Sequence, residues 1–236
     1  MAVTVKELFE AGVHFGHRTQ RWNPKMKPFI YDARNGIHLI DLEHTQRQLK
    51  EAGEFLKAVA KRKEPVLFVG CKKPAQQAVK DACERINAPY VSDRWLGGAL
   101  TNLQTIRKSV KRLDMIENLE KTGEILKYPR KEASVLRREK AKLMRNLSGM
   151  RKLEKIPGAV VIVDIQRETN ALAEAKRLHI PVIAIVDTNA DPLKVEYPIV
   201  GNDDAIRSIK IIVEALVDAM ASVQPETAKQ ADVGAA

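Results

Sequence analysis

Pro65-Val66-Leu67-Phe68-Val69-Gly70-Cys71-Lys72-Lys73-Pro74 is the stretch that decides the fold. Four consecutive apolar residues describe a strand buried on both faces, since a strand with one wet face would alternate. Gly70 ends the run. Pro74 stands where the first turn of a helix tolerates proline, opening a helix to about Ile86. A short second strand follows at Pro89-Tyr90-Val91.

The same grammar returns far down the chain. Ala159–Val163 reads as a strand, Thr169–Leu178 as a helix and Val182–Val186 as a strand. Pro198-Ile199-Val200 is a short strand, and Asp203–Val223 a helix. Strands and helices alternating at these lengths predict an α/β fold: a mostly parallel sheet with helices on both faces. Upstream, Val5–Ala11 reads as a short helix and Gly12 to Lys25 as a Gly- and Pro-punctuated loop. Ile37–Ile40 reads as a short strand. Asp41 is placed to cap a long helix to about Arg62, with Leu42, Leu49, Phe55, Leu56 and Val59 as its apolar stripe. The tail from Gln224 is expected to be frayed or disordered.

Between the two α/β blocks lies a segment of different character. Leu103, Ile106, Val110 and Leu113 are spaced 3, 4 and 3, and Ile116 and Leu119 extend the stripe. Gly123 and Pro129 mark a tip. Leu136, Leu143, Leu147, Met150 and Leu153 line a return arm. Two such helices predict an antiparallel coiled-coil hairpin over 101–155, inserted between core segments 1–100 and 156–223. Thr101 and Gln104 have the spacing of a capping box.

Charge follows the same division. The chain carries a net charge of +10. Residues 100–155 hold 16 Lys and Arg against 7 Asp and Glu, whereas residues 156–236 hold 7 against 12. A solubilising face interleaves signs, so a one-signed excess on a two-helix projection points to a polyanion. Arg107, Lys108, Lys111 and Arg112 on one arm, and Arg137, Arg138 and Lys142 on the other, are the candidate RNA contacts. His17, Arg18, Arg21 and Lys25 form a second candidate cluster on the N-terminal loop. The acidic C-terminal third is expected to face away from RNA and to offer a protein-binding surface.

Other chemistries find less support. Gly70–Pro74 lacks both the G-x-G-x-x-G glycines and the G-K-[ST] ending of nucleotide-binding loops, although Lys72 and Lys73 at a helix start have the chemistry to hold an RNA phosphate. His14 and His17, with Cys71 and Cys83 far away, form no recognised zinc spacing, so no metal is expected. No nucleophile elbow exists. Asp164, Asp187 and Asp191 follow strands, where α/β enzymes place acids, but Asp187-Thr188-Asn189 and Asp191-Pro192 read equally as turn chemistry. Trp22, Tyr31 and Trp95 have the faces to stack on bases, and packing is the commoner fate of single aromatics. No apolar run approaches the ~20 residues of a membrane span. Two free thiols and no leader before Val5 suggest a cytoplasmic protein.

Four stretches carry a resemblance. They are Gly12-Val13-His14-Phe15-Gly16-His17, Arg21-Trp22-Asn23-Pro24-Lys25-Met26, Asp93-Arg94-Trp95-Leu96-Gly97-Gly98 with Leu100-Thr101-Asn102, and Asp187-Thr188-Asn189 with Asp191-Pro192. In this order they resemble the bacterial branch of the family of the universal second protein of the small ribosomal subunit, from Val5 to Val223. The resemblance implies a flavodoxin-like sheet with a protruding coiled-coil hairpin, in a structural ribosomal protein that is not an enzyme and needs no organic cofactor. It implies binding to small-subunit ribosomal RNA near the junction of head and body. It also implies a part in recruiting the large messenger-binding first protein, a string of OB-fold repeats, and a place in the cytoplasmic ribosome. Two other classes stand beside this reading: a nucleotide-dependent enzyme on a doubly wound sheet, and a protein-interaction module whose hairpin pairs with an acidic helix.

Overall fold

The structure is a computed structural model that describes residues 3–223. The tail expected from Gln224 lies outside the described residues.

The chain opens with α1 (Val5–Glu10), closed at its N-terminus by a capping box between Thr4 and Glu7. Three short strands follow: β1 (Phe15–Arg18), β2 (Ile30–Arg34) and β3 (Ile37–Ile40). They form an antiparallel sheet in the order β1-β3-β2. The stretch read as loop therefore contains a strand, and Ile30–Arg34 is a second one that alternation did not reveal. The Asp41 carboxylate accepts from the Glu43 amide and caps α2 (Leu42–Lys61), as its position implies.

The parallel sheet is built from β4 (Val66–Val69), β5 (Tyr90–Val91), β6 (Ala159–Val163), β7 (Val182–Val186) and β8 (Tyr197–Val200). Its order is β5-β4-β6-β7-β8, and every pairing is parallel. Counted along the chain this is the 2-1-3-4-5 order of flavodoxin-like folds, with the topological switch between β4 and β6. The helices are α3 (Lys73–Arg85), α6 (Thr169–Arg177) and α7 (Ile206–Ala221), together with α2.

The continuous apolar runs serve two separate core layers. Val66 and Phe68, Val161 and Val163, and Ile183 and Ile185 pack with α2, α3 and α7 on one face. Leu67 and Val69, Val160 and Ile162, and Val182, Ala184 and Val186 face α6 and the base of the insert on the other. A period of two across a sheet covered on both sides makes both sets apolar.

The insert comprises α4 (Leu103–Lys121) and α5 (Arg130–Leu147), which pack on one another. Gly123 has a φ of +74°, a left-handed conformation that ends α4 without a Cβ clash. A single 3-10 turn, Glu124–Lys127, buries Ile125 at the tip. Ile106, Leu147, Met150 and Leu153 join the second core layer, so the base of the insert is rooted in the frame. Along the expected seam, Ile106, Leu113 and Ile116 are buried, while Val110, Leu119, Leu136 and Leu143 are half-buried. The capping-box expectation does not hold. Asn102 occupies the N-cap, where its side chain accepts from the Thr105 hydroxyl but from no backbone amide of the helix, and the Thr101 hydroxyl instead donates to Glu174.

Candidate nucleic-acid interface and the junction behind it

The insert sorts its basic side chains into two groups. Arg112 makes two hydrogen bonds to Glu139, both at 3.1 Å. Arg137 lies 3.5 Å from Glu120, and Arg107 donates to the Glu154 carbonyl at 2.9 Å. These three hold the arms and their base together. Lys108, Lys111, Arg138 and Lys142 are exposed, and among the described residues they form no ion pair. These four carry positive charge that no carboxylate offsets.

A cleft of about 750 Å³ lies between the insert's base and the loop after β5. Arg94, Lys142, Arg145 and Arg167 line it, with Asp93 and Glu168. Arg145 pairs with Asp93 at 2.8 Å, while Arg94 and Arg167 are exposed. The sequence places Arg145 among the basic residues of the return arm, whereas helical periodicity does not single out Arg94 or Arg167. The signal for Arg94 was its place within the Asp93–Gly98 motif.

The floor of this region is fixed by one carboxylate on α6. Glu174 accepts from Trp95 Nε1 (3.0 Å), the Gly98, Leu100 and Thr101 amides (2.8, 3.0 and 3.1 Å) and Thr101 Oγ1 (3.0 Å). Burial pushes this carboxyl's pKa up, but the five donors outweigh it and hold it below the ordinary value. Trp95 is therefore a packed residue. Tyr31, by contrast, is 76% exposed, and Trp22 leans on His38.

The N-terminal cluster is divided in the same way. Arg18 and Arg21 are exposed. Lys25 reaches the Asp191 carboxylate at 2.7 Å. His17 turns inward: Nδ1 is 3.0 Å from Asp187 Oδ2, and Nε2 is 3.5 Å from Asp204 Oδ2. The Asp187 carboxylate raises the imidazole pKa above its usual value against the opposing effect of burial. Gly16 makes this docking possible. A Cβ there would lie 2.6 Å from Thr188 Cγ2, where the His17 amide donates to Thr188 Oγ1 at 2.8 Å.

The turn reading of Asp187 and Asp191 holds. Asp187 Oδ1 accepts from the Thr188 amide and hydroxyl, and Asp191 Oδ1 from the Leu193 amide. His14 stacks on Phe9. Cys71 and Cys83 are free, buried, and in different core layers. The His and Cys pairs do not converge.

At the carboxyl edge of the sheet, Lys72 lies 3.2 Å from Asp164, 2.6 Å from Asp203 and 2.6 Å from Asp204. Burial lowers the lysine's pKa, but the Asp203 and Asp204 carboxylates more than offset it. Asp203 itself is pushed up to about 7 by burial and by the charges of Asp187 and Asp164. The crevice where open α/β sheets bind ligands is thus filled by the protein's own ion pairs. Lys72 has no charge to spare for a phosphate. The negative charge of the C-terminal third is also partly internal, because Asp164, Asp187 and Asp203 are buried.

A crevice filled by internal ion pairs and an insert bearing unpaired exposed cations fit a structural binding protein better than a nucleotide-dependent enzyme. The family model described as Ribosomal protein S2 matches residues 8–222. The small ribosomal subunit protein uS2 of Acidothermus cellulolyticus is 51% identical over 220 residues, covering 93% of this chain and 80% of that protein. The chain belongs to the Ribosomal protein S2 family. It is a structural protein of the small ribosomal subunit, works in translation among ribosomal RNA and other ribosomal proteins, and is not an enzyme. Its place is the cytoplasmic ribosome. Among the described residues no helix is long and apolar enough to cross a membrane.

Proposed function

We propose that this protein holds folded small-subunit ribosomal RNA mainly through phosphate and shape contacts made by the insert. The observation that carries this reading is the exposed, unpaired set Lys108, Lys111, Arg138 and Lys142. Arg107, Arg112 and Arg137 serve in part as internal braces of the same arm. The cleft lined by Arg94 and Arg167 extends the cationic surface onto the frame, and Arg18 and Arg21 form a second outlying contact. Deep, narrow A-form major grooves exclude side chains, so recognition by backbone position suits such a surface.

The insert (101–155) acts as the gripping unit, and the α/β frame (1–100 with 156–223) as its rigid base. The family likeness supports a further role in recruiting the large OB-repeat first protein, through a surface turned from the RNA.

Binding of the full chain to small-subunit ribosomal RNA across a salt series tests the main claim. Tight binding that weakens steeply with salt is expected. Absence of binding overturns it. Recruitment is read by cosedimentation of the OB-repeat protein with particles that contain or lack this chain. Equal cosedimentation from both overturns that role.

A further inference from the structure

The ion pairs of Lys72 close the crevice toward Asp164, Asp203 and Asp204. Cys71, one residue earlier, instead lines the cleft of about 750 Å³ beside the insert. The residues that follow β4, β5 and β6 meet there: Cys71, the Asp93–Gly97 stretch, and Arg167 with Glu168. Open parallel sheets take their ligands at the carboxyl ends of such strands, next to the switch in strand order. The volume is that of a small-molecule site.

The lining is of mixed charge, and one member is short of partners. Arg94 and Arg167 are exposed and form no ion pair among the described residues. Glu168 is 4% exposed. Among the described residues only Cys71 gives its carboxylate a hydrogen bond, from the amide to Oε1 at 3.3 Å, and no cation pairs with it. Burial pushes this carboxyl above its ordinary value. A carboxylate has room for about four hydrogen bonds, and leaving that capacity unmet inside a protein is costly. Gly97 adds open space. Its φ is not left-handed and a Cβ there would meet nothing within 4 Å, so neither backbone nor packing calls for glycine. A bare backbone leaves room for the close approach of a ligand.

A simple anion does not suit this lining, because Glu168 repels it. A nucleotide does, with a phosphate for the two guanidinium groups and N–H donors on its base for the carboxylate. Among the RNA bases guanine alone carries two adjacent N–H donors on its Watson–Crick edge, which match the two oxygens of one carboxylate. On the footing that the chain grips ribosomal RNA, we propose that this cleft seats one unpaired guanosine nucleotide of the small-subunit RNA. Arg94 and Arg167 hold its phosphate, and Glu168 reads its base. Recognition here is of sequence, where the insert reads phosphate positions.

The test is RNA binding by the full chain across a salt series, with kethoxal modification of the bound RNA. That reagent attacks the Watson–Crick edge of unpaired guanines. Wild type is expected to shield a guanine that E168Q leaves reactive. The glutamine keeps an acceptor for the Cys71 amide but turns an N–H toward the base. E168Q should therefore weaken RNA binding about tenfold with an unchanged salt slope. A cleft that merely attracted phosphate would bind RNA more tightly in E168Q, because a negative charge is lost. That result, or shielding that E168Q leaves intact, overturns the proposal. R94Q/R167Q alters two exposed side chains and leaves the core alone. It should uncover the same guanine and flatten the slope by about 0.7–0.9, and continued shielding overturns the proposal as well. No RNA binding by wild type overturns the proposed function along with this site. Wild-type binding with no shielded guanine removes the site alone. A melting temperature raised by GMP in the absence of RNA, with no guanine shielded in its presence, would assign the cleft to a free nucleotide and overturn its role on RNA.

Discussion

Glu174 Oε2 accepts a hydrogen bond from Thr101 Oγ1 at 3.0 Å, tying the middle of α6 to the first residue of the insert. The same carboxylate gathers Trp95 Nε1 and three backbone amides from Gly98 to Thr101. The frame thus sets the direction in which α4 leaves it. Replacing Glu174 by Ala strands these donors at a partly buried site and should cost about 2–4 kcal/mol. Glu174→Gln restores one acceptor oxygen but points an amide at N–H groups, so it should recover only part of the loss. The pH dependence has a defined sign. The folded carboxyl titrates below its ordinary value of 4.5, so its contribution is complete above that value and disappears as pH falls through the folded pKa. Urea unfolding of both proteins over a pH series descending from 7 measures this. A wild-type to E174Q difference that does not begin to shrink as pH falls below 4.5 would sink the assignment.

The frame was legible because its strands are buried on both faces. Val66–Val69 and Val182–Val186 need no alternation to be read, and flanking Gly and Pro residues punctuate them. The N-terminal sheet was not legible. β1 is Phe-Gly-His-Arg, with no apolar period, and besides its pairing with β3 it is held by Thr188, which is 171 residues from His17. β2 is exposed over most of its length. The acidic junction was hidden for a related reason. Asp187 reads correctly as a turn residue through Oδ1, and nothing local reveals that Oδ2 faces His17. The basic insert was legible as charge, but its division into braces and free cations depends on where Glu120, Glu139 and Glu154 fall in space.

Gly149 is the point where the insert returns to the sheet. A Cβ there would collide with the Tyr90 carbonyl and with its ring at 2.7 Å. Neither neighbour can yield, because one is β5 backbone and the other a buried aromatic. Gly149→Ala should therefore destabilise the chain by about 2–3 kcal/mol, with a melting temperature lowered by about 5–10 °C. Calorimetric unfolding of the variant is the check. Gly97, whose Cβ would meet nothing within 4 Å, is the control: G97A should leave the melting temperature nearly unchanged.

The two thiols should report global opening. Burial, with the nearby Glu168 carboxylate, pushes Cys71 up to about 12, and burial pushes Cys83 up as well. Neither forms thiolate at pH 8 while folded. Alkylation at that pH should be slow, and the two cysteines should react at similar rates despite lying in different core layers. Mass spectrometry of timed quenches measures each site. Rapid modification of Cys71 alone would mean that the cleft beside Trp95 opens independently.

The decisive comparison on the insert is between its paired and unpaired cations. Neutralising Lys108, Lys111, Arg138 and Lys142 to Gln removes four charges that no carboxylate offsets. If each meets one phosphate, the slope of log K against log salt for RNA binding should flatten by about 3, at 0.7–0.9 per contact. The double variant R112Q/E139Q removes one charge of each sign from a pair already joined by two hydrogen bonds. Its salt slope should stay close to wild type, and its cost should appear in stability instead, at less than about 1 kcal/mol for so exposed a pair. The two variants together separate grip from brace. An unchanged slope in the fourfold variant would move the RNA contact to Arg18, Arg21, Arg94 and Arg167. A slope flattened equally by R112Q/E139Q would mean that the arm's shape, rather than its free charge, governs binding.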